Sequence, residues 1–468
     1  MLYCSPEVRP FSGTGGLSEV AGSLPKALCQ SGKIDCRVIT PLYRSIPRKY
    51  RDKMEFLGWT MIPVAWRTKY MGVFSMEWDG VLCYFIDNEE YFDRDGLYGY
   101  YNDCERFAFF SRAVFESLRL TGFTPDIVHA NDWQTAMVPV YQDAIYHRRF
   151  LTTVFTIHNI EYQGSYGKEV IRDVLGLPEG SEHLVEYGDG VNLLKGGIDT
   201  ANLVSTVSPT YASELRDPIS AFGLDGIVRA SYGKFRGILN GIDTDSYNPA
   251  SDPIIAANYT PEDPSGKEIC HSHLQKLAGL PEKNVPILSL ISRLVPAKGM
   301  DLLRETLDRI LSEEDVQLIV LGTGFPEYED FFRGLEARWP EKVRSWITFN
   351  IGRSHEIYAG SDIFLMPSRS EPCGLSQMIA MRYGTVPVVR ATGGLRDSVK
   401  DCTFGDGTGF VFDEYSGDAF YNAVMQALAL KRNTENWEKL KIHDMKQDFS
   451  WKHSAEEYIQ MYEQVRYH

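Results

Sequence analysis

Residues 363–382 read IFLMPSRSEPCGLSQMIAMR. Four apolar residues, Ile363 to Met366, make a buried strand. A polar turn follows, Ser368-Arg369-Ser370-Glu371-Pro372-Cys373-Gly374-Leu375, and then a helical pattern from Ser376 to Arg382. A strand that passes through a tight turn into a helix is the repeating unit of a parallel sheet covered by helices. Pro372 and Gly374 suit such a turn. The amides of Cys373, Gly374 and Leu375 stand where the helix begins, and a helix N-terminus binds phosphate through free N–H groups and its dipole. An acid beside phosphates is out of place unless it takes hydroxyls. Glu371 therefore reads either as a sugar-type contact or, more plainly, as a cap of its own helix.

The same unit recurs along the chain. Apolar runs at 37–40, 127–130, 152–157, 203–208, 286–291, 318–322 and 386–389 end in glycine-rich or polar turns, with helical patterns between them. Buried parallel strands read this way. The predicted fold is α/β, with doubly wound parallel sheets. A chain of 468 residues exceeds one core, so two domains follow. The rhythm breaks near 233–253, at Asn240-Gly241-Ile242-Asp243 with Pro249 and Pro253, and restarts at Val285. The expected domains are 1–238 and 239–450, with a helix over 451–468 packing back on the first. Thr-Gly-Gly-Leu occurs twice, at Thr14–Leu17 and Thr392–Leu395, once on each side of the break. Glycine in a strand-to-helix turn lets a ligand reach the backbone. Two short glycine turns also match by chance.

Net charge is −15, which argues against nucleic-acid and anionic-membrane partners. A neutral polymer is not repelled by such a chain, whereas an anionic substrate needs a local basic pocket. The eight cysteines form no Cys-x-x-Cys pair and no zinc spacing. With no signal peptide, they read as reduced thiols, and the expected compartment is the cytoplasm. No apolar run approaches the roughly 20 residues of a membrane helix.

Charge for such an anion is found after the run 286–291, in Ser-Arg-Leu-Val-Pro-Ala-Lys-Gly with Arg293 and Lys298. Arginine forks onto phosphate and lysine supplies a point charge. His158 closes the run 152–157, and Asp132 follows the run 127–130 in His129-Ala130-Asn131-Asp132-Trp133. Both strand ends address one crevice in a doubly wound sheet. Asp243-Thr244-Asp245 has the form of a metal–nucleotide site, but it lies in the connection between domains and reads as a turn. Residues 84–110 carry Tyr91, Phe92, Tyr98, Tyr100 and Tyr101 with Asp93, Asp95 and Asp103 among them. Rings and acids in alternation suit sugar stacking, and suit a packed insertion better.

Taken in order, these motifs resemble those of bacterial glycogen synthases and plant starch synthases, the ADP-glucose-type glucan synthases of GT-B fold. The resemblance runs nearly end to end: Gly13-Thr14-Gly15-Gly16-Leu17-Ser18-Glu19-Val20, Asn102-Asp103 with Arg106-Phe107, His129 to Trp133, Thr156-Ile157-His158-Asn159, Val207-Ser208-Pro209, Asn240 to Asp243, Ser292-Arg293-Leu294 with Lys298-Gly299, Ser368 to Leu375, and Thr392 to Leu395. It implies two Rossmann-like domains facing a central cleft, the first on the acceptor side and the second on the nucleotide-sugar side. It implies a retaining transfer of glucose from ADP-glucose to the non-reducing end of an α-1,4-glucan, with no cofactor and no metal. Arg293 and Lys298 would hold the diphosphate, helped by Gly15, Gly16, Gly374, Leu375, Thr392 and Gly393. Glu371 would orient the glucose and His158 would contact its 6-hydroxyl. Glu19, Asp132 and Asn240 would line the acceptor and sugar side. Phe349 stands where the family usually has a tyrosine stacked on adenine, and Cys373 would be a cleft thiol.

Three departures go with the resemblance. The family's first loop usually reads Lys-x-Gly-Gly-Leu, and the position of that lysine is Gly13. Its usual aspartate is Glu19, and the chain starts a few residues later than its relatives tend to. A second glutamate eight residues after the first, common in the wider group that includes sucrose synthases, is Ile379 here, which favours the bacterial glycogen synthase type. Two alternatives stand beside the main expectation: a UDP-glucose-dependent enzyme, and a glucan-binding pseudoenzyme motivated by Gly13. In a plant the compartment would be the plastid stroma. Oligomeric state is not specified.

Overall fold

The apolar runs become the central strands of two sheets, and the helical patterns between them pack on those sheets. The computed structural model describes residues 1–148 and 150–465. These divide into two units, residues 1–241 together with the helix Trp451–Val465, and residues 242–450.

The first unit holds strands β1 (Leu2–Cys4), β2 (Arg37–Pro41), β3 (Glu55–Val64), β4 (Arg67–Trp78), β5 (Val81–Asp87), β6 (Ile127–Asn131) and β7 (Thr152–Ile157). A small antiparallel sheet follows, of β8 (Ser165–Tyr166), β9 (Glu186–Tyr187) and β10 (Gly190–Asn192), and then β11 (Leu203–Thr206) and β12 (Phe235–Gly237). The main sheet has the order β12-β11-β7-β6-β1-β2-β5-β4-β3. It is parallel from β12 to β5. At the far edge β4 and β3 turn antiparallel, which differs from the wholly parallel sheet expected. The reason is visible in β3, where Ile62 and Val64 are buried while Met61 and Pro63 are exposed. Such alternation belongs to a strand wetted on one face.

The second unit holds β13 (Ile287–Ile291), β14 (Gln317–Leu321), β15 (Val343–Trp346), β16 (Ile363–Met366), β17 (Val386–Arg390) and β18 (Phe410–Phe412). All are parallel, in the order β15-β14-β13-β16-β17-β18. Leu288, Leu290, Leu318, Val320, Leu365 and Val388 build its core against Leu303, Leu307 and Val424 of the covering helices. Strands buried on both faces explain the unbroken apolar runs.

In each sheet the chain grows to one side and then returns to grow to the other. The reversal lies between β1 and β6 in the first unit and between β13 and β16 in the second. In open α/β sheets, ligands bind outside the strands' carboxyl ends at such a reversal.

The helix Trp451–Val465 is tied to the first unit by side chains. Tyr462 Oη lies 2.8 Å from His129 Nδ1, and Ser454 Oγ donates to Leu239 O at 2.6 Å. The aromatic segment is packed, with Tyr91 and Phe92 fully buried. The Arg106 guanidinium lies 5.0 Å from the Tyr100 ring and 5.2 Å from the Phe107 ring, and pairs with Asp103 at 2.5 Å. Asp103 is thus part of the interior and not a solvated acid.

Candidate active site

In the second unit, the loops after β13 and β16 are locked together by backbone. Gly299 has φ 75°, and a Cβ there would stand 2.0 Å from Pro367 O. Arg369 N donates to Ala297 O at 2.9 Å. This packing sets Lys298, the last residue of a short turn after β13, against Glu371 at the end of the β16 loop. Lys298 Nζ lies 2.5 Å from Glu371 Oε2, and Ser368 Oγ donates to the same oxygen at 3.1 Å. Glu371 is 6% exposed, and a polar group so buried is costly unless it is hydrogen-bonded. Among the described residues its other oxygen, Oε1, accepts no hydrogen bond. Glu371 does not cap its own helix, which starts at Ser376 without a side-chain cap, so the simpler reading of this acid is set aside.

Thr392 and Gly393 lie beneath the same turn. Gly393 has φ 45°, and a Cβ there would stand 2.0 Å from Glu371 O. Gly394 N donates to Glu371 O at 3.1 Å, and a Cβ on Gly394 would stand 2.2 Å from Cys373 O. Cys373 is buried; Gly374, with φ 71°, and Leu375 are partly exposed. Arg293 shares the β13 loop with Lys298, and its side chain is exposed with no ion pair among the described residues. Phe349 precedes the helix Ile351–Gly360 and is 75% exposed.

In the first unit, the loop after β1 leads into α1 (Gly16–Gln30). Glu7, almost fully buried, accepts hydrogen bonds from Thr14 N and Thr14 Oγ1 at 2.8 Å each. Burial pushes its carboxyl above the usual range. Gly15 and Gly16 are exposed, nothing lies within 4 Å of where their Cβ atoms would stand, and α1 has no side-chain cap. Position 13 is different. A Cβ there would stand 2.3 Å from Ser18 Oγ and 3.2 Å from Arg9 Nε, so the loop as packed has no room for a side chain. Arg9 is the only basic residue before Lys26, and its Nε lies 3.2 Å from Glu19 Oε1.

At the ends of β6 and β7, Asp132 and His158 are joined through the backbone. Asp132 Oδ1 accepts from His158 N at 2.7 Å, and Asp132 holds φ 56°, unusual for a non-glycine residue. Burial raises the Asp132 carboxyl to about 7. The His158 ring contacts Asn131. The Asn131 amide nitrogen donates to Cys4 O and His129 O, so Oδ1 must face Tyr3 Oη at 3.0 Å and His158 Nε2 at 2.9 Å. An amide oxygen only accepts, so Nε2 carries the proton and Nδ1 offers a lone pair. Burial lowers the His158 pKa to about 3, so the ring is neutral at physiological pH. It is built to accept a hydroxyl hydrogen bond and not to act as an imidazolium. Asn240 is buried, and among the described residues its Oδ1 has no hydrogen-bond partner.

Other candidates belong to structure. His129 is held by Tyr462 and Thr156. Asp243 accepts from Asp245 N, Ser246 N and Ser246 Oγ, which closes its own turn. Among the described residues, no three His, Cys, Asp or Glu side chains converge on a possible metal position. Among the described residues no helix is long and apolar enough to cross a membrane. Sequence reasoning missed Ser368, Asn131 and Tyr3 as supports of Glu371 and His158. Only Ser368 carried a signal, as a hydroxyl at a strand end three residues before the acid.

Residues 1–230 match the family described as Starch synthase catalytic domain, and residues 275–442 match Glycosyl transferases group 1. The chain is 44% identical to the glycogen synthase of Desulforamulus reducens, over 99% of this chain and 98% of that protein. It is 43% identical to the glycogen synthase of Ligilactobacillus salivarius, over 99% of each. Its structure resembles the catalytic domain of Starch Synthase IV from Arabidopsis thaliana, solved bound to ADP and acarbose, with a TM-score of 0.92, 35% identity and coverage of 100% and 99%. Sucrose-phosphate synthase from Thermosynechococcus elongatus shares the fold, with a TM-score of 0.62 and 19% identity.

Proposed function

The chain belongs to the family of glycogen and starch synthases, GT-B glycosyltransferases, and on that premise we propose that it transfers glucose from ADP-glucose to the non-reducing end of an α-1,4-glucan with retention of configuration. The observation that carries the reading is the Lys298–Glu371–Ser368 cluster, set at the strand-order reversal of the second unit. A cation and a buried carboxylate with one oxygen unclaimed suit a substrate that is phosphate at one end and sugar at the other. ADP in the solved Starch Synthase IV supports adenine as the donor base.

In this reading, Lys298 and Arg293 neutralise the diphosphate as it leaves, a preorganised charge that need not reorganise during reaction. Backbone amides at Gly374, Leu375, Gly393, Gly15 and Gly16 add to them, and Thr392 supports the loop. Glu371 Oε1 takes a glucose hydroxyl, and the neutral His158 accepts the 6-hydroxyl through Nδ1. Glu19, Asp132 and Asn240 serve the sugar and acceptor side. Phe349 offers its exposed ring to adenine. The glucan 4-hydroxyl attacks from the face the diphosphate leaves, through an oxocarbenium-like transition state, and the departing phosphate takes the proton.

The test is glucose incorporation into glycogen by the purified protein with each nucleotide sugar. ADP-glucose is expected to give a kcat/KM at least tenfold above UDP-glucose. The reverse preference contradicts the donor. No incorporation with either, alongside glycogen binding, establishes the pseudoenzyme instead.

A further inference from the structure

The aromatic residues that the sequence offers as a sugar surface, at 84–110, are largely interior, and a different set is on the outside. β3 and β4 form a hairpin at the edge of the first sheet. One of its faces is interior, with Ile62, Val64, Met71 and Val73 buried. The other face is bare: Trp59 is 58% exposed, Phe56 and Met61 48% each, and Tyr70 37%. Pairing register puts these on one side, with Phe56 opposite Phe74, Trp59 opposite Gly72 and Met61 opposite Tyr70. Trp59 and Tyr70 lie ring to ring at 5.9 Å and 29°, and Phe56 and Phe74 at 5.0 Å. Gly72 is what lets Tyr70 lie flat, since a Cβ there would stand 2.5 Å from Tyr70 Oη. Asp87, next to Gly72 on β5, accepts a hydrogen bond from the Tyr70 hydroxyl and is itself only partly buried.

We propose that this hairpin face, centred on Trp59, Tyr70 and Asp87, is a second binding site for an α-glucan chain, apart from the place of transfer. The reading rests on the glucan acceptor proposed above. Three features select this occupant. Pyranose rings present apolar C–H faces that lie flat on aromatic rings, and their hydroxyls donate to a carboxylate such as Asp87. Exposed apolar patches of this kind mark interaction sites on soluble chains. A second copy joined edge to edge through β3 is disfavoured by the bulge at Gly58 and by Pro63, which has no N–H to give. A polymer held at a second point stays at high local concentration near the enzyme, which strengthens its engagement without changing the transfer step.

The experiment compares the wild type with Trp59→Ala/Tyr70→Ala, two exposed positions, with Trp59→Phe as the variant that keeps a ring. Retention by glycogen in native gels reads binding. Glucosyl transfer to glycogen and to maltotetraose reads the catalytic place. The double variant is expected to weaken glycogen retention and raise the glycogen KM about tenfold, with kcat and the maltotetraose KM within twofold of wild type. Trp59→Phe is expected to stay close to wild type. Unchanged glycogen retention overturns the proposal, and so does an equal rise in the maltotetraose KM. A dimer that the double variant dissociates, with glycogen retention unchanged, makes the face a subunit contact and also overturns it. If the wild type transfers no glucose to maltotetraose, the functional reading fails, while glycogen retention still decides this site.

Discussion

Thr-Gly-Gly-Leu stands before a helix in both units, yet its glycines answer to different demands. In the second unit Gly393 and Gly394 are glycine because protein presses on them: a Cβ at either would meet the backbone of Glu371 or Cys373 at close to 2 Å. In the first unit Gly15 and Gly16 face open space and are exposed. Nothing in the fold forbids a side chain at Gly15, whose φ is −170°. The comparison separates a glycine that builds a site from one that leaves room in front of it. The two loops also differ in charge. The Gly393 loop packs under a turn where Lys298 faces Glu371, whereas beside the Gly15 loop a single Arg9 stands next to Glu19, with Glu7 buried nearby.

The sharpest way to break this contrast is Gly393→Ala. A clash with Glu371 O combined with φ 45° is expected to cost several kcal/mol and to leave little folded protein, read by thermal melting. Gly15→Ala should instead melt within about 2 °C of wild type and raise the ADP-glucose KM about threefold or more, consistent with a backbone reserved for a ligand. Equal losses of stability at both positions would erase the distinction.

Asp132 tests the first unit through pH. Its carboxyl is raised to about 7 from the ordinary 3.8 by burial, so the folded chain holds a proton that the unfolded chain releases. That contribution to stability is complete below about pH 4 and is lost as pH rises through about 7. Melting points at pH 5 and pH 8 should therefore fall further in the wild type than in Asp132→Asn, which cannot titrate and keeps an oxygen for His158 N. Parallel profiles would contradict the raised carboxyl. The smallest effect belongs to Tyr462→Phe, which removes a hydrogen bond to His129 worth about 1 kcal/mol. A modest fall in Tm with unchanged kcat is expected; a large loss of kcat would give the terminal helix a part in catalysis.

Much of this architecture is legible as sequence. The runs after which Arg293, Lys298, Glu371 and His158 stand are apolar on both sides and so read directly as parallel strands. β3 and β4 were not legible, because the alternation of β3 is interrupted by the bulge at Gly58 and β4 buries three successive residues, Met71 to Val73. β1 is only three residues long and gives no period to read. The aromatic segment packs as its composition favoured, and what composition did not show is that Asp103 goes inside with Arg106 to hold the rings. Partners of the site residues were hidden for another reason. Lys298 meets Glu371 across 73 positions and Tyr3 meets Asn131 across 128, and no local pattern encodes such pairings.

The account turns on the Lys298–Glu371 pair as the donor's seat. The measurement that tests it most directly is glucosyl transfer from ADP-glucose by Glu371→Gln and Lys298→Ala, with melting curves taken alongside. Loss of one preorganised contact is expected to lower turnover by about 10²–10³ while a cooperative melt persists. Near-wild-type turnover in either folded variant would contradict it.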